Sequence, residues 1–122
     1  MAEYFLGVDN GGTVTKAAIF DQNGREIAST SQSTPVLTPK KGYFERDMLN
    51  LWQITAGAIR RAIAQSGVQS GEIAGVGCTG HGKGLYLWGK NNSPAYNAIA
   101  STDHRAAEIT AVSYTHLTLP TI

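Results

Sequence analysis

The sequence predicts an α/β domain with the element order βββαββα, and three observations carry that prediction. Tyr4–Val8 is a short apolar run that ends in Asp9 and a glycine turn. Asn23-Gly24 is a two-residue hairpin signal, and Asp47 opens a segment of helical period that Gly67 closes. They imply three antiparallel strands, a crossover helix, strands returning to the sheet, and a last helix.

The first strand feeds the segment Asp9-Asn10-Gly11-Gly12-Thr13-Val14-Thr15-Lys16. Two glycines let the backbone turn tightly. Val14–Phe20 then resumes an apolar run, so the pattern is strand–turn–strand. The hydroxyls of Thr13 and Thr15, the Lys16 ammonium and free backbone N–H groups suit a polyphosphate, and the Asp9 carboxylate suits a hydrated Mg²⁺. A plain Gly-Gly hairpin with polar trim is the alternative. Arg25–Ser31 alternates loosely as a third strand, and Ser33–Gly42 is a polar surface loop with two prolines. The helix from Asp47 to about Ser66 has Met48, Leu51, Trp52, Ile59, Ala62 and Ile63 as its apolar stripe. Ile73–Thr79 and Leu85–Trp88 are the returning strands, and Thr102 or Asp103 caps the final helix.

Between those strands lies Gly77-Cys78-Thr79-Gly80-His81-Gly82-Lys83-Gly84. It approaches the G-x-x-x-x-G-K-[ST] phosphate loop but has Gly84 where a hydroxyl should hold Mg²⁺, and strand rather than helix follows. Cys78-x-x-His81 lacks a second pair of metal ligands elsewhere. What remains is a glycine-rich strand end presenting His81 and Lys83 to a small ligand. A histidine on an ordinary hairpin turn is the alternative.

Composition sets outer limits. The 122 residues, 42% hydrophobic, suffice for one small domain. The net charge of +1 comes from scattered basic residues, which gives no case for nucleic acid or a membrane surface as partner. No apolar run approaches the ~20 residues of a membrane span, and no signal-like stretch opens the chain. The single cysteine, Cys78, fits a reducing compartment, so a cytoplasmic location is expected. Residues 112–121 match one reading frame of a common transposase sequencing adapter. The expectation is therefore a native segment over residues 1–111 and a non-native tail over 112–122, with Tyr114 and His116 carrying no functional weight.

Several blocks in register resemble the FGGY family of carbohydrate kinases, over about Tyr4 to Glu108. Leu6–Thr13 through Lys16 is similar to the family's first phosphate motif. Gly42-Tyr43-Phe44-Glu45-Arg46-Asp47 with Trp52 resembles its G-W-x-E-x-D…W block. Gly80-His81-Gly82 resembles the sugar-contacting strand end of xylulokinases. Asn97-Ala98-Ile99 with Asp103-His104-Arg105-Ala106 resembles N-A-I-x-W-x-D-x-R. Gly82–Leu85 and Ser101–Asp103 are most similar to L-xylulose kinases.

The resemblance implies the truncated first part of an actin-like, ribonuclease H-like ATPase domain. It implies a parent that moves the γ-phosphoryl of ATP to a hydroxyl of a small sugar, a ketopentose such as L-xylulose, with ATP and Mg²⁺ as cofactors. Asp9 would hold Mg²⁺ through water, and Gly11, Gly12, Thr13, Thr15 and Lys16 would contact phosphates. Gly80, His81, Lys83 and Asp103 would face the sugar. The general-base aspartate and adenosine pocket are expected outside this chain, the segment alone is expected to be inactive, and the parent is expected to be a homodimer. Ser101 departs from the family's usual aromatic, and Thr79-Gly80-His81 departs from the glycerol-kinase pattern. A non-catalytic or chaperone-like nucleotide-binding member of the same superfold is the competing reading.

Overall fold

A computed structural model describes residues 2–116. In chain order its elements are β1 (Tyr4–Asn10), β2 (Val14–Asp21), β3 (Glu26–Ser33), β4 (Glu45–Arg46), α1 (Met48–Ser66), a 3₁₀ turn (Ser70–Glu72), β5 (Ile73–Gly80), β6 (Ala98–Ile99) and α2 (Ala107–His116). The main sheet has the order β3-β2-β1-β5, with β1–β2 and β2–β3 antiparallel and β1–β5 parallel. A parallel pair needs a long crossover, and α1 supplies it. The fold class is the α/β arrangement the sequence predicts.

Local chemistry sets these boundaries. Gly24 takes a φ of 81° in the β2–β3 hairpin, where its N–H donates to the Asp21 carbonyl. The Asp47 carboxylate accepts from the Asn50 N–H at 2.9 Å and caps α1, while Gly67 ends the helix at a φ of 71°. Leu6 and Val8 of β1, Ala17 and Ile19 of β2, Ala58 and Ala62 of α1, and Val68 form the core. The helix meets the sheet through Thr55, Ala58 and Ala62, small side chains that permit a close approach.

Three element-level expectations need correction. Trp52 is 65% exposed, because it lies roughly 90° around the helix from the Thr55–Ala58–Ala62 line. Leu85–Trp88 is not a strand of the sheet. It folds back on its own continuation, with Ala95 N–H donating to Leu87 and Trp88 bridging Pro94, which has no N–H to extend a ladder. The last helix begins at Ala107 rather than beside Asp103, whose carboxylate is occupied elsewhere. Part of α2 lies beyond Ala111, and residues 117–122 of the suspected tail fall outside the described residues.

A second, smaller layer forms where β4 pairs with β6. Leu37, Glu45, Ile99 and Leu85 pair successively across it, so four distant segments share one row. The sheet face opposite α1 carries Phe5, Ala18 and Phe20 with no covering element among the described residues, and on the α1 side Val76 of β5, paired with Leu6, is 61% exposed because the helix packs over β2 and β3. Among the described residues no helix is long and apolar enough to cross a membrane.

Candidate functional site

The glycine turn joins β1 to β2 and is closed by Gly11 N–H donating to the Val14 carbonyl at 3.0 Å. A Cβ on Gly11 would stand 2.7 Å from that carbonyl oxygen, so the closure requires glycine. Gly12 and Thr13 are exposed beside it. Strand alternation decides what else faces outward. Leu6, Val8, Thr15, Ala17 and Ile19 turn toward α1 and are buried. Asp9 and Lys16 lie opposite one another on the other face, with Thr79 of β5 next in the row. These three line an open cavity of about 360 Å³ together with Gly7, Ala18, Phe20 and Gly77.

Thr15 therefore corrects one expectation. Its side chain is 0% exposed and its hydroxyl donates to Asn10 Oδ1 at 3.0 Å, an acceptor also approached by the Thr55 hydroxyl at 2.9 Å. It braces the turn from the core side and has no surface to offer a phosphate. Asp9, Gly11, Gly12, Thr13 and Lys16 remain grouped at the turn and its flanks.

The second motif arrives at the same end of the sheet. Because β1 and β5 run parallel, Asn10 pairs with Gly80, and the segments after both strands emerge side by side. His81 N–H donates to the Asn10 carbonyl at 3.0 Å, tying the two motifs together. A Cβ on Gly80 would stand 3.1 Å from that same oxygen, so this approach leaves little room for a side chain. His81 Nε2 meets the Tyr86 hydroxyl at 3.0 Å, leaving the opposite ring nitrogen for another partner. The Tyr86 ring lies 2.8 Å from where a Gly84 Cβ would be, so Gly84 makes room for the pair. Lys83 is exposed, with a left-handed φ of 65°. The bend after Gly82 continues into extended chain, so it is not a phosphate loop opening a helix. No group of His, Cys, Asp and Glu able to hold a metal by itself occurs among the described residues.

Asp103 corrects a second expectation. Its side chain is 4% exposed and both oxygens are engaged. One accepts from Phe44 N–H at 2.7 Å and Arg105 Nη2 at 2.8 Å; the other accepts from the Arg105 backbone N–H and Nε, each at 2.9 Å. Arg105 Nη2 also donates to Glu45 Oε2 at 2.6 Å, while Tyr96 and Asn97 complete the Glu45 carboxylate at 3.0 and 3.1 Å. The guanidinium lies 4.0 Å from the Tyr43 ring centroid. Arg105 chiefly, helped by backbone N–H groups and opposed by burial, holds the Asp103 carboxyl well below the usual carboxylate range. Arg105 first and Asn97 next lower Glu45 in the same way. Glu45 and the Asp103-x-Arg105 block thus fasten the second layer, and Asp47 caps α1, so Glu45 and Asp103 present no free group to a sugar.

The family model described as the FGGY family of carbohydrate kinases, N-terminal domain, matches residues 4–116. The chain belongs to this family. It is 44% identical over 109 residues to the L-xylulose/3-keto-L-gulonate kinase of Escherichia coli strain K12, covering 89% of this chain and 22% of that protein. It is 36% identical over 110 residues to a glycerol kinase of Thermoanaerobacter pseudethanolicus, again 89% of this chain and 22% of the relative. Among solved structures it is similar to a gluconate kinase from Lactobacillus acidophilus, with a TM-score of 0.86 at 25% identity, over 94% of this chain and 23% of that one. The FGGY chain described here thus spans about a fifth of the length of the curated relatives it matches.

Arg46 and Thr34, which donate to the Gly11 and Thr13 carbonyls, and Tyr86, which meets His81 Nε2, hold the turn and His81 in place without a sequence motif of their own. Arg46 stands inside the quoted Glu45–Asp47 block, but only the fold brings it beneath Gly11. No local pattern signals Thr34 or Tyr86.

Proposed function

We propose that this chain is the N-terminal portion of an ATP-dependent sugar kinase that phosphorylates a ketopentose such as L-xylulose. The observation that carries the reading is the hydrogen bond from His81 N–H to the Asn10 carbonyl. It sets a glycine turn suited to phosphates against a strand end suited to sugar hydroxyls, at the carboxyl ends of two parallel strands. Phosphoryl transfer asks a protein for positioning and charge stabilisation, and that juxtaposition supplies the first.

Asp9 suits a magnesium ion that keeps most of its water. It is a single carboxylate on an open sheet face with a lysine opposite, and Mg²⁺ is commonly held by one or two carboxylates plus substrate phosphates. When bound, Mg²⁺ with ATP neutralises phosphate charge. Lys16 adds a cation, and the Gly12 N–H and Thr13 hydroxyl offer donors. His81 and the Gly80 backbone orient the sugar, with Lys83 at the margin. The identity to L-xylulose kinases over glycerol kinases favours a ketopentose acceptor.

The boundary at Ala111 belongs to the same proposal, with residues from Val112 onward foreign to the parent. Reading the genomic locus across Ala111 is expected to replace Val112–Thr121, and their retention would contradict that boundary. The functional test is steady-state kinetics in the full-length parent. Asp9→Ala and Lys16→Ala are each expected to lower sugar-dependent ATP turnover by about 10²-fold while folding normally. Folded variants with near wild-type turnover would return the turn to a plain hairpin.

A further inference from the structure

The Gly11–Gly12 peptide is held from beneath by a buried guanidinium. Arg46 is only 2% exposed, and its Nη1 donates to the Gly11 carbonyl at 3.1 Å. Its Nη2 lies 4.0 Å from the position of a Cβ on Gly12. The backbone N–H of Thr34, itself buried, donates to the Thr13 carbonyl at 2.9 Å. Two carbonyls of the turn are therefore fixed from the protein side.

Across a planar trans peptide the N–H points opposite to the C=O. Holding the Gly11 carbonyl inward sends the Gly12 N–H outward, toward the exposed side of the turn. A charged donor on the carbonyl also polarises the peptide and strengthens that N–H. Among the described residues Arg46 makes no ion pair, and its buried Nε has no hydrogen-bond partner. Arginine keeps its charge in proteins, and a buried charge without a counter-ion is costly. An anion seated on the turn would offset that cost.

We infer that Arg46 is a positioning residue for the bound polyphosphate, aiming the Gly12 N–H at it and placing a buried positive charge behind it. The inference rests on the kinase reading above. Its test is ADP binding by calorimetry, with ATP and sugar KM measured in parallel, on the full-length parent. Arg46→Met, which removes both donor and charge, is expected to weaken ADP binding and raise the ATP KM on the order of tenfold, leaving the sugar KM within about twofold. Arg46→Gln keeps an N–H donor without the charge; it is expected to weaken ADP binding about threefold, and it decides the matter if Arg46→Met does not fold. A folded Arg46→Gln or Arg46→Met that binds ADP like wild type would overturn the inference, as would a sugar KM rising in step with that for ATP. Wild-type protein that binds no ADP would instead remove the kinase reading, and the inference with it.

Discussion

Gly11 and Gly12 adjoin in one turn, yet the structure gives them different reasons to be glycine. A methyl at Gly11 would stand 2.7 Å from the Val14 carbonyl oxygen, about 0.7 Å inside ordinary van der Waals contact. That oxygen is backbone and cannot swing aside, so Gly11→Ala must shift the turn, at a cost of about 1–3 kcal/mol. At Gly12 the nearest atom to an added methyl is 4.0 Å away and φ is not positive. Gly12→Ala therefore fits the unliganded fold, and by restricting the unfolded chain it adds about 0.4–1 kcal/mol of stability. The same methyl narrows the approach of a phosphate to the exposed backbone, so the ATP KM is expected to rise at least about tenfold. Thermal denaturation paired with ATP titrations in the full-length parent reads both quantities. A Gly12→Ala protein that is stable and keeps a wild-type ATP KM would refute a phosphate at this turn, and a strongly destabilised one would refute the geometry.

His81→Ala in the same parent should raise the sugar KM far more than the ATP KM, and Tyr86→Phe, which removes only the hydroxyl on Nε2, should do so more mildly; equal effects on both ligands would mark His81 as structural. Glu45 and Asp103 are both held below their ordinary values of 4.5 and 3.8, so their contribution to stability is fully present above those values and is lost as pH falls below them. The melting temperature should accordingly decline below about pH 4.5 in wild type, and Glu45→Gln should flatten part of that decline; an identical acid profile in the variant would argue against the network. Residues 1–122 produced alone should be aggregation-prone and inactive, because no element among the described residues covers the sheet face opposite α1; a dispersed monomer with cooperative unfolding in size-exclusion and melting experiments would refute this.

The parts of the fold legible in the sequence are those specified by neighbours in the chain. Asn23-Gly24 announces its hairpin, Asp47 and Gly67 bracket α1, and the Gly11-Gly12 turn follows from two glycines after a strand. The alternation Thr15, Ala17, Ile19 also carries the signal that turns Thr15 inward, against the pull of its resemblance to a phosphate contact. What local chemistry does not carry is partnership across distance. Asp103 has the same residue type whether it faces a sugar or is consumed by Phe44 and Arg105, and only the pairing of β4 with β6 decides between them. Arg46 is in the same position, since its meaning depends on a carbonyl 35 residues earlier. Leu85–Trp88 has strand composition, but its partners are Pro94 in its own continuation and Ile99 of β6 rather than a strand of the main sheet.

The central claim is that the turn after β1 and the strand end after β5 hold a nucleotide phosphate and a ketose side by side. The most direct measurement is a coupled assay of ADP release by the full-length parent, with Mg²⁺ and ATP, offered L-xylulose and glycerol in parallel. Release that depends on L-xylulose, with a higher kcat/KM than for glycerol, is the expected result. ADP release that no sugar stimulates, or that glycerol stimulates more strongly, would contradict it.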